Sequence, residues 1–167
     1  MDEKIFIYQR DDFSCGPACL ATVALIYGKK DKDYDFFRDT LTPDPKIGSC
    51  NMQLAAAAAA HLGALAHGEG IYEGGVAVAN IIHPPSREGH YVVMLDKKDD
   101  EIIYYDPYDH EIHIRKEQDI EWVSESGHLK NWAVVFPPVE GAGFDRWAGL
   151  RDKVKKLPKL IRQSPKP

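Results

Sequence analysis

The sequence predicts an α+β domain in which N-terminal helices pack on an antiparallel β-sheet. Helix signals fall before Gly63, and short segments rich in β-branched and aromatic residues follow after Gly70. Because these strand-like segments follow one another without helices between them, an antiparallel sheet with the helices on one side is favoured. The chain has 167 residues, of which 44% are hydrophobic, and this is sufficient for one domain with its own core.

The first elements are predicted as a short strand and a helix. Residues 4–8 (KIFIY) have the composition of a strand. Ser14 is a suitable N-cap, Pro17 is tolerated in a first helical turn, and Gly28 is a suitable stop after the last turn. The chain between Ser14 and Gly28 is therefore expected to be helical.

Two more helices are predicted before the strands begin. A short helix is expected at about residues 36–41, since Pro43 and Pro45 would end it. Ser49 is then expected to open a longer helix through the alanine run, because alanine favours helix and allows close packing against a neighbour.

The strands and the end of the domain are predicted from the later part of the chain. Five segments have strand composition: 76–82, 90–96, 101–106, 110–115 and 132–136. Pro137, Pro138 and the glycines that follow are typical of a linker, so residues 1–139 are expected to form the domain and residues 140–167 a basic helix or tail.

The distribution of charge argues against nucleic-acid binding. Residues 144–167 carry +6, so residues 1–143 carry −11 of a total net charge of −5. The basic tail has apolar residues at mostly helical spacing, which suits a membrane surface or an acidic partner. The alternative, a helix docked on the acidic body, is favoured because Pro158 interrupts the pattern.

Composition also sets an expected compartment. The longest apolar run has seven residues, too few to span a membrane, and no secretory signal is visible. The three cysteines cannot all pair. A reduced, cytoplasmic protein is therefore expected.

Cys15 is the first candidate for chemistry. At the start of a helix, unpaired N–H groups and the helix dipole favour a thiolate, which is a good nucleophile. The alternative is a small buried hydrophobic residue, as expected for Cys19, and Cys50 is expected to have no chemical role. No zinc-like spacing surrounds Cys15 and Cys19, so neither a metal nor another cofactor is expected.

A predicted hairpin supplies a base and its orienting carboxylate. Segments 90–96 and 101–106 flank a polar turn, and if Leu95 lies opposite Glu101, His90 lies opposite Asp106. Opposed side chains share a face, so Asp106 would fix the imidazole tautomer. A register slip of one residue would separate the two side chains, and the alternative role of Asp106 is to start a turn with Pro107.

Gln9 completes the set as a candidate donor to a developing oxyanion. It ends the predicted first strand, six residues before Cys15. Its side-chain amide would lie beside the thiol and next to the Cys15 backbone N–H, whereas a glutamine at such a place is more often a surface residue.

These residues together resemble the C39 peptidases and their C39-like relatives. The motifs that carry the resemblance are Gln9, CGPACLATVALIYG from Cys15, GHYVVML around His90 and YYDP around Asp106. The family consists of papain-like cysteine peptidases, best known for removing leader peptides after a Gly-Gly pair. The resemblance covers about residues 4–136.

The resemblance implies a papain-like fold and a cysteine peptidase that hydrolyses a peptide or protein substrate. Cys15 would be the nucleophile, His90 the general base and acid, Asp106 the orienting residue and Gln9 the oxyanion-hole donor. Two other classes stay open at this point: an amidase, deamidase or acyltransferase on the same fold, and a catalytically silent peptide-binding module.

Overall fold

The computed structural model describes residues 5–64, 66–68, 76–123 and 132–138, with the backbone alone at 66–68 and at 98. The helices are α1 (Cys15–Ile26), α2 (Tyr34–Leu41) and α3 (Asn51–Leu62). The strands are β1 (Ala66–Gly68), β2 (Ala77–Ile82), β3 (Gly89–Lys98), β4 (Glu101–Asp106), β5 (Glu111–Lys116) and β6 (Ala133–Val135), and a short 3-10 turn (Glu117–Asp119) follows β5.

The described strands form one antiparallel sheet. Their order is β1-β6-β2-β3-β4-β5, and each pair of neighbours runs antiparallel. The main core lies between α1, α2 and α3 and one face of this sheet. The predicted α+β class, with N-terminal helices on an antiparallel sheet, is therefore confirmed. The five predicted strands are present, whereas the three-residue β1 was not predicted.

Helix α1 lies at the centre of the domain. Eleven of its twelve residues are buried, since it packs on β3 and also contacts both other helices. A helix that is apolar on all sides is buried on all sides. The residue at its first turn is therefore held by packing around the whole helix.

The predicted ends of α1 are right in position, but the N-cap works differently. Ser14 is the N-cap residue, yet its side chain makes no capping bond. Its hydroxyl instead accepts a hydrogen bond from the Tyr34 hydroxyl at 2.7 Å, which fixes α2 against the start of α1. Gly28 has φ +75°, the left-handed conformation that the predicted stop requires.

The other helices begin at residues different from those predicted. Helix α2 starts at Tyr34, two residues early, because the Asp33 side chain accepts a bond from the backbone N–H of Phe36. Helix α3 starts at Asn51 with Cys50 as its N-cap, so the expectation that Ser49 opens it is wrong by one residue.

The predicted strand at residues 4–8 is wrong for the described part, residues 5–8. This segment pairs with none of the strands in the described part of the chain. The Ile7 N–H donates to the Thr22 hydroxyl at 3.0 Å, and the Tyr105 hydroxyl donates to the Ile7 carbonyl at 2.9 Å. The side chains of Ile5 and Phe6 are buried in the core. Their apolar character therefore reflects this burial and not membership of the sheet.

The β3–β4 hairpin differs in register from the prediction. Lys98 pairs with Glu101, so the turn is shorter than expected, and Asp99 adopts a φ of 55°. A β-bulge between Met94 and Asp96 then shifts the pairing. Continuing the observed register beyond the bulge places Asp106 opposite Val92, two residues from His90. The predicted direct opposition of His90 and Asp106 is wrong, but a shift of two residues keeps them on one face.

The structure also bears on membrane spans and on the predicted end of the domain. Within the described ranges, no helix is long and apolar enough to cross a membrane. The basic segment predicted at residues 140–167 lies outside the described residues, so the division of the chain at residue 139 stays a prediction.

Candidate active site

Three of the four candidate residues line one cavity. Gln9, Cys15 and His90 lie in the wall of a cavity of about 610 Å³, and Asp106 lies behind His90. Other residues of the wall are Ile47, Ser49, Asn80, His83, Ser86 and Tyr108. The three distant parts of the chain that carry the candidates therefore meet in space.

Cys15 is the first residue of α1 and is 8% exposed, at the edge of the cavity. The backbone N–H groups at a helix start have no partner within the helix and favour negative charge nearby. Cys19 differs, because complete burial raises the pKa of its thiol well above the ordinary value and leaves it neutral. Cys50 is exposed and does not line the cavity. Cys15 is thus the cysteine that combines a helix start with access to the cavity.

His90 and Asp106 form a buried hydrogen-bonded pair. Nε2 of His90 lies 2.7 Å from Oδ1 of Asp106, which leaves Nδ1 as the ring nitrogen available to the Cys15 sulfur. Burial disfavours the charged imidazole, but its hydrogen bonds to Asp106 and Cys15 outweigh burial and raise the pKa of His90 to about 10. The imidazole therefore retains a proton firmly in this arrangement.

The Asp106 carboxylate is held in its ionised form. Burial raises its pKa, but hydrogen bonds from His90 and from the Tyr108 backbone N–H at 2.8 Å outweigh that effect and lower the pKa. The Tyr108 contact closes a turn over Pro107, which ends β4. The turn role and the orienting geometry predicted for Asp106 are thus compatible in one residue.

Gln9 lies in the loop before α1 rather than at the end of a strand. Its side-chain amide Nε2 donates to the Asp11 carbonyl at 2.8 Å. Among the described residues this is the one hydrogen bond of the amide nitrogen, and Oε1 is buried without a partner. The Gln9 backbone N–H donates to the Pro107 carbonyl at 3.0 Å. This bond ties the loop to the turn that follows Asp106.

Comparison with models of known protein families shows to which family this chain belongs. The model of the Peptidase C39 family matches residues 3–122, which are 120 of the 167 residues of the chain. The chain belongs to the peptidase C39 family. Members of this family are cysteine peptidases, and the matched range contains all four candidate residues of this C39 chain.

A solved structure shows the same fold. The peptidase domain of Streptococcus ComA, described as a bi-functional ABC transporter involved in a quorum-sensing pathway, matches with a TM-score of 0.59 and 22% sequence identity. The match covers 76% of this chain and 93% of the ComA domain. The predicted papain-like fold of the C39 domain is therefore confirmed. A search of curated proteins found no significant match.

His83 also lines the cavity, although it was not among the candidate residues predicted from the sequence. It follows β2 directly, is 7% exposed, and its ring centre lies 4.5 Å from that of His90. Burial and the neighbouring His90 lower its pKa, so His83 is neutral at pH 7. Its Nε2 is 3.7 Å from Oδ2 of Asp106, which is too far for a hydrogen bond. The signal in the sequence was a histidine at the end of an apolar strand that pairs with the His90 strand.

The loop that carries Gln9 is anchored by Asp11. One carboxylate oxygen of Asp11 accepts from Arg38 of α2 at 2.5 Å, and the other accepts from the Phe13 N–H at 3.2 Å. Partial burial opposes the charge of Asp11, but these bonds and a contact with Ser14 lower its pKa. The Asp11 carbonyl is the group that holds the Gln9 amide. Asp11 thus positions a candidate residue in the C39 chain.

Proposed function

We propose that this chain is a thiol-dependent peptidase that uses Cys15, His90, Asp106 and Gln9. The observation that carries the proposal is the convergence of Cys15 and the hydrogen-bonded His90–Asp106 pair at one wall of an open cavity. A nucleophile, a base and a group that orients the base are the components that acyl transfer requires. Membership of the C39 family supports this assignment.

The reaction starts from an ion pair in which Nδ1 of His90 already holds the Cys15 proton, because the pKa of His90 is raised to about 10. The sulfur then attacks the carbonyl carbon of the scissile peptide bond, and the carbonyl π electrons move to the oxygen. The Cys15 backbone N–H and the free N–H of the Gln9 amide donate to this oxyanion. Asp106 stabilises the imidazolium through Nε2 without accepting its proton.

The tetrahedral intermediate collapses with cleavage of the C–N bond. His90 donates its proton to the leaving amine, so a free amine and a thioester on Cys15 are formed. Water then attacks the thioester while His90 accepts a proton from it. The C–S bond then breaks, the carboxylic acid is released, and the Cys15 thiolate and the His90 imidazolium are restored.

The proposed substrate is a peptide. The cavity that contains Cys15 is open and has both polar and apolar groups, including the 80% exposed Ile47 side chain. Family resemblance makes peptides with a Gly-Gly pair before the cleaved bond the first class to test. A glycine pair has no side chains and allows a peptide backbone to approach the thiol closely.

The experiment is a cleavage assay with a peptide library that includes Gly-Gly leader peptides, followed by mass spectrometry. We expect wild-type protein to produce defined fragments and the Cys15→Ala variant to produce none. Cys50→Ala is the matched control, since Cys50 is exposed outside the cavity wall. Fragments from the Cys15→Ala variant at the wild-type rate would overturn the proposal.

Alkylation of the thiols separates an active site from a silent binding module. We expect iodoacetamide to modify Cys15 faster than Cys50 below pH 7, although Cys50 is more exposed, because a nearby imidazolium favours a thiolate. The preference should disappear in the His90→Ala variant. Equal labelling of Cys15 and Cys50 in the wild type would favour the binding module. Selective labelling without any peptide cleavage would instead favour amidase or acyltransferase chemistry.

A further inference from the structure

His83, His90 and Asp106 form a buried cluster of metal-ligand type. Each offers one ligand atom, and the three atoms lie within 4.8 Å of one another. Nε2 of His83 is 3.7 Å from Oδ2 of Asp106, and Nε2 of His90 is 2.7 Å from Oδ1. His90 and Asp106 take part in the proposed peptidase reaction, whereas His83 has no role in it.

One of the ligand separations is close to that of a zinc site. Zn²⁺ binds imidazole nitrogen and carboxylate oxygen at about 2.0–2.2 Å, so ligand atoms in a tetrahedral site are about 3.3 Å apart. The separation of 3.7 Å between His83 and Asp106 is already near that value. The 2.7 Å contact between His90 and Asp106 is shorter and has to open.

Outer contacts already orient two of the three ligands. Nδ1 of His83 lies 3.2 Å from the Ser86 hydroxyl, which directs Nε2 towards Asp106. The Tyr108 backbone N–H donates to Oδ1 of Asp106 and leaves Oδ2 facing His83. Such bonds fix ring orientation and tautomer in metal sites and improve metal affinity.

The cluster is accessible from the cavity. His83 and His90 both line it, together with Ser86 and Tyr108. An ion that enters by this route would find two imidazole nitrogens and one carboxylate oxygen, with water as the fourth ligand. Two nitrogen ligands and one carboxylate suit Zn²⁺ better than Ca²⁺ or Mg²⁺, which prefer oxygen ligands.

We propose that His83, His90 and Asp106 form an inhibitory binding site for a Zn²⁺ ion. Coordination replaces the His90–Asp106 hydrogen bond and displaces the proton from Nε2 of His90, which is released to solvent. Asp106 then no longer orients the imidazole towards Cys15. Ion binding follows from the cluster alone, and only the inhibition depends on the proposed peptidase function.

The test of binding uses the full chain with Cys15→Ala, so that the thiol cannot supply a ligand. Titration with Zn²⁺ in a calorimeter should show one ion per chain. Adding His83→Ala should weaken binding by at least about tenfold, the lower range seen when groups that support a metal site are removed. His113→Ala in the same background is the matched control.

The control is informative because the described residues contain a second group of this type. One ligand atom from each of Asp106, Asp109 and His113 also lies within 4.8 Å of the other two. Loss of binding with His113→Ala and retention with His83→Ala would overturn the proposal in favour of that group. Loss of binding with Cys15→Ala alone would overturn it in favour of a thiolate site.

A second variant distinguishes the loss of a zinc ligand from misfolding of the protein. His83→Gln preserves a polar side chain of similar size but supplies no imidazole nitrogen. Zn²⁺ should raise the melting temperature of the Cys15→Ala protein and leave that of the Cys15→Ala, His83→Gln protein unchanged. An equal rise in both would overturn the site.

Inhibition is then measured separately on the wild type with whatever peptide it cleaves. Zn²⁺ should reduce turnover, a chelator should restore it, and the Zn²⁺ concentration for half inhibition should rise in His83→Gln. Zinc binding to the Cys15→Ala protein without any peptide cleavage by the wild type would contradict the proposed function and leave the metal site standing. Peptide cleavage without zinc binding would support the proposed function and contradict the metal site.

Discussion

The two halves of the candidate site are built in different ways. His90 and Asp106 belong to neighbouring strands, and their positions are set by the hydrogen-bond ladder of the sheet. Cys15 and Gln9 belong to a helix start and the loop before it, where a few side-chain contacts fix the backbone. In the strand half, the hydrogen bond between His90 and Asp106 that the reaction requires is already formed. In the loop half, the Gln9 amide donates to the Asp11 carbonyl and not to a substrate. The strand half is therefore preorganised, and the loop half depends on local contacts that single substitutions can remove.

The largest effect is expected from removing the base in the strand half. His90→Ala should lower kcat/KM by about 10⁴-fold or more, because proton transfer to and from the reacting groups is lost. Peptide cleavage kinetics measure this effect. His61→Ala is the control, since His61 lies in the last turn of α3 and does not line the cavity. Turnover within tenfold of wild type in His90→Ala would assign the base to another residue.

Asp106→Asn tests the orienting contact with little change in shape. We expect kcat to fall by about 10³–10⁴-fold, since an amide can hold the imidazole in the wrong tautomer and cannot stabilise the imidazolium. The pKa of His90, raised to about 10 partly by this carboxylate, should also fall. Titration of the imidazole by NMR measures that fall, and an unchanged pKa would show that Asp106 does not act through His90.

Gln9→Ala tests the loop half. Loss of one oxyanion donor costs about 10²–10³-fold in kcat, with little change in KM. Gln9→Glu should be impaired as well, because a carboxylate would repel the oxyanion. A change confined to KM would instead make Gln9 a substrate-binding residue. An effect as large as that of His90→Ala would show that the loop half contributes more than its contacts indicate.

The smallest effect is expected from Asp11→Asn, which loosens the anchor of the loop. The pKa of Asp11 in the folded protein is lowered from its ordinary value of 3.8. Its carboxylate therefore stabilises the fold above pH 3.8, and this stabilisation is lost as the pH falls through the lower pKa of the folded state. At pH 7 we expect the variant to be less stable by about 0.2–1 kcal/mol, since the Arg38 contact is partly exposed.

Urea unfolding at pH 7, 5 and 3 measures this difference. It should be similar at pH 7 and 5 and smaller at pH 3. Asp12→Asn is the matched control, because Asp12 is the exposed neighbour in the same loop. A difference that grows towards pH 3 would contradict the assigned role of Asp11.

The hairpin shows how far the sequence predicts the strand half. The content of β-branched and aromatic residues, together with the polar turn residues, was sufficient to predict β3, β4 and the shared face of His90 and Asp106. These features were insufficient for the register. The turn is three residues shorter than predicted, which shifts the pairing by three residues, and the bulge at Leu95 reduces this shift to two. A shift of three would have separated the two side chains, so the bulge preserves the predicted relationship.

The loop half shows a different limit. Ser14, Pro17 and Gly28 correctly marked the helix of Cys15, since these signals are local. The segment before it has strand composition but no neighbouring strand, because its apolar residues enter the core beside Thr22. His83 was missed for a related reason: the pairing of β2 with β3 brings it to His90, and one sequence does not reveal that pairing.

The bond from the Gln9 backbone N–H to the Pro107 carbonyl has a mechanical consequence. It couples the two halves through main-chain atoms, and a displacement of the loop at residue 9 therefore pulls directly on the turn beside Asp106. Side-chain replacements leave this coupling intact, whereas Gln9→Pro removes the donor itself. The bond thus constrains the loop and the turn through main-chain atoms, in addition to the side-chain contacts of Asp11 that anchor the loop.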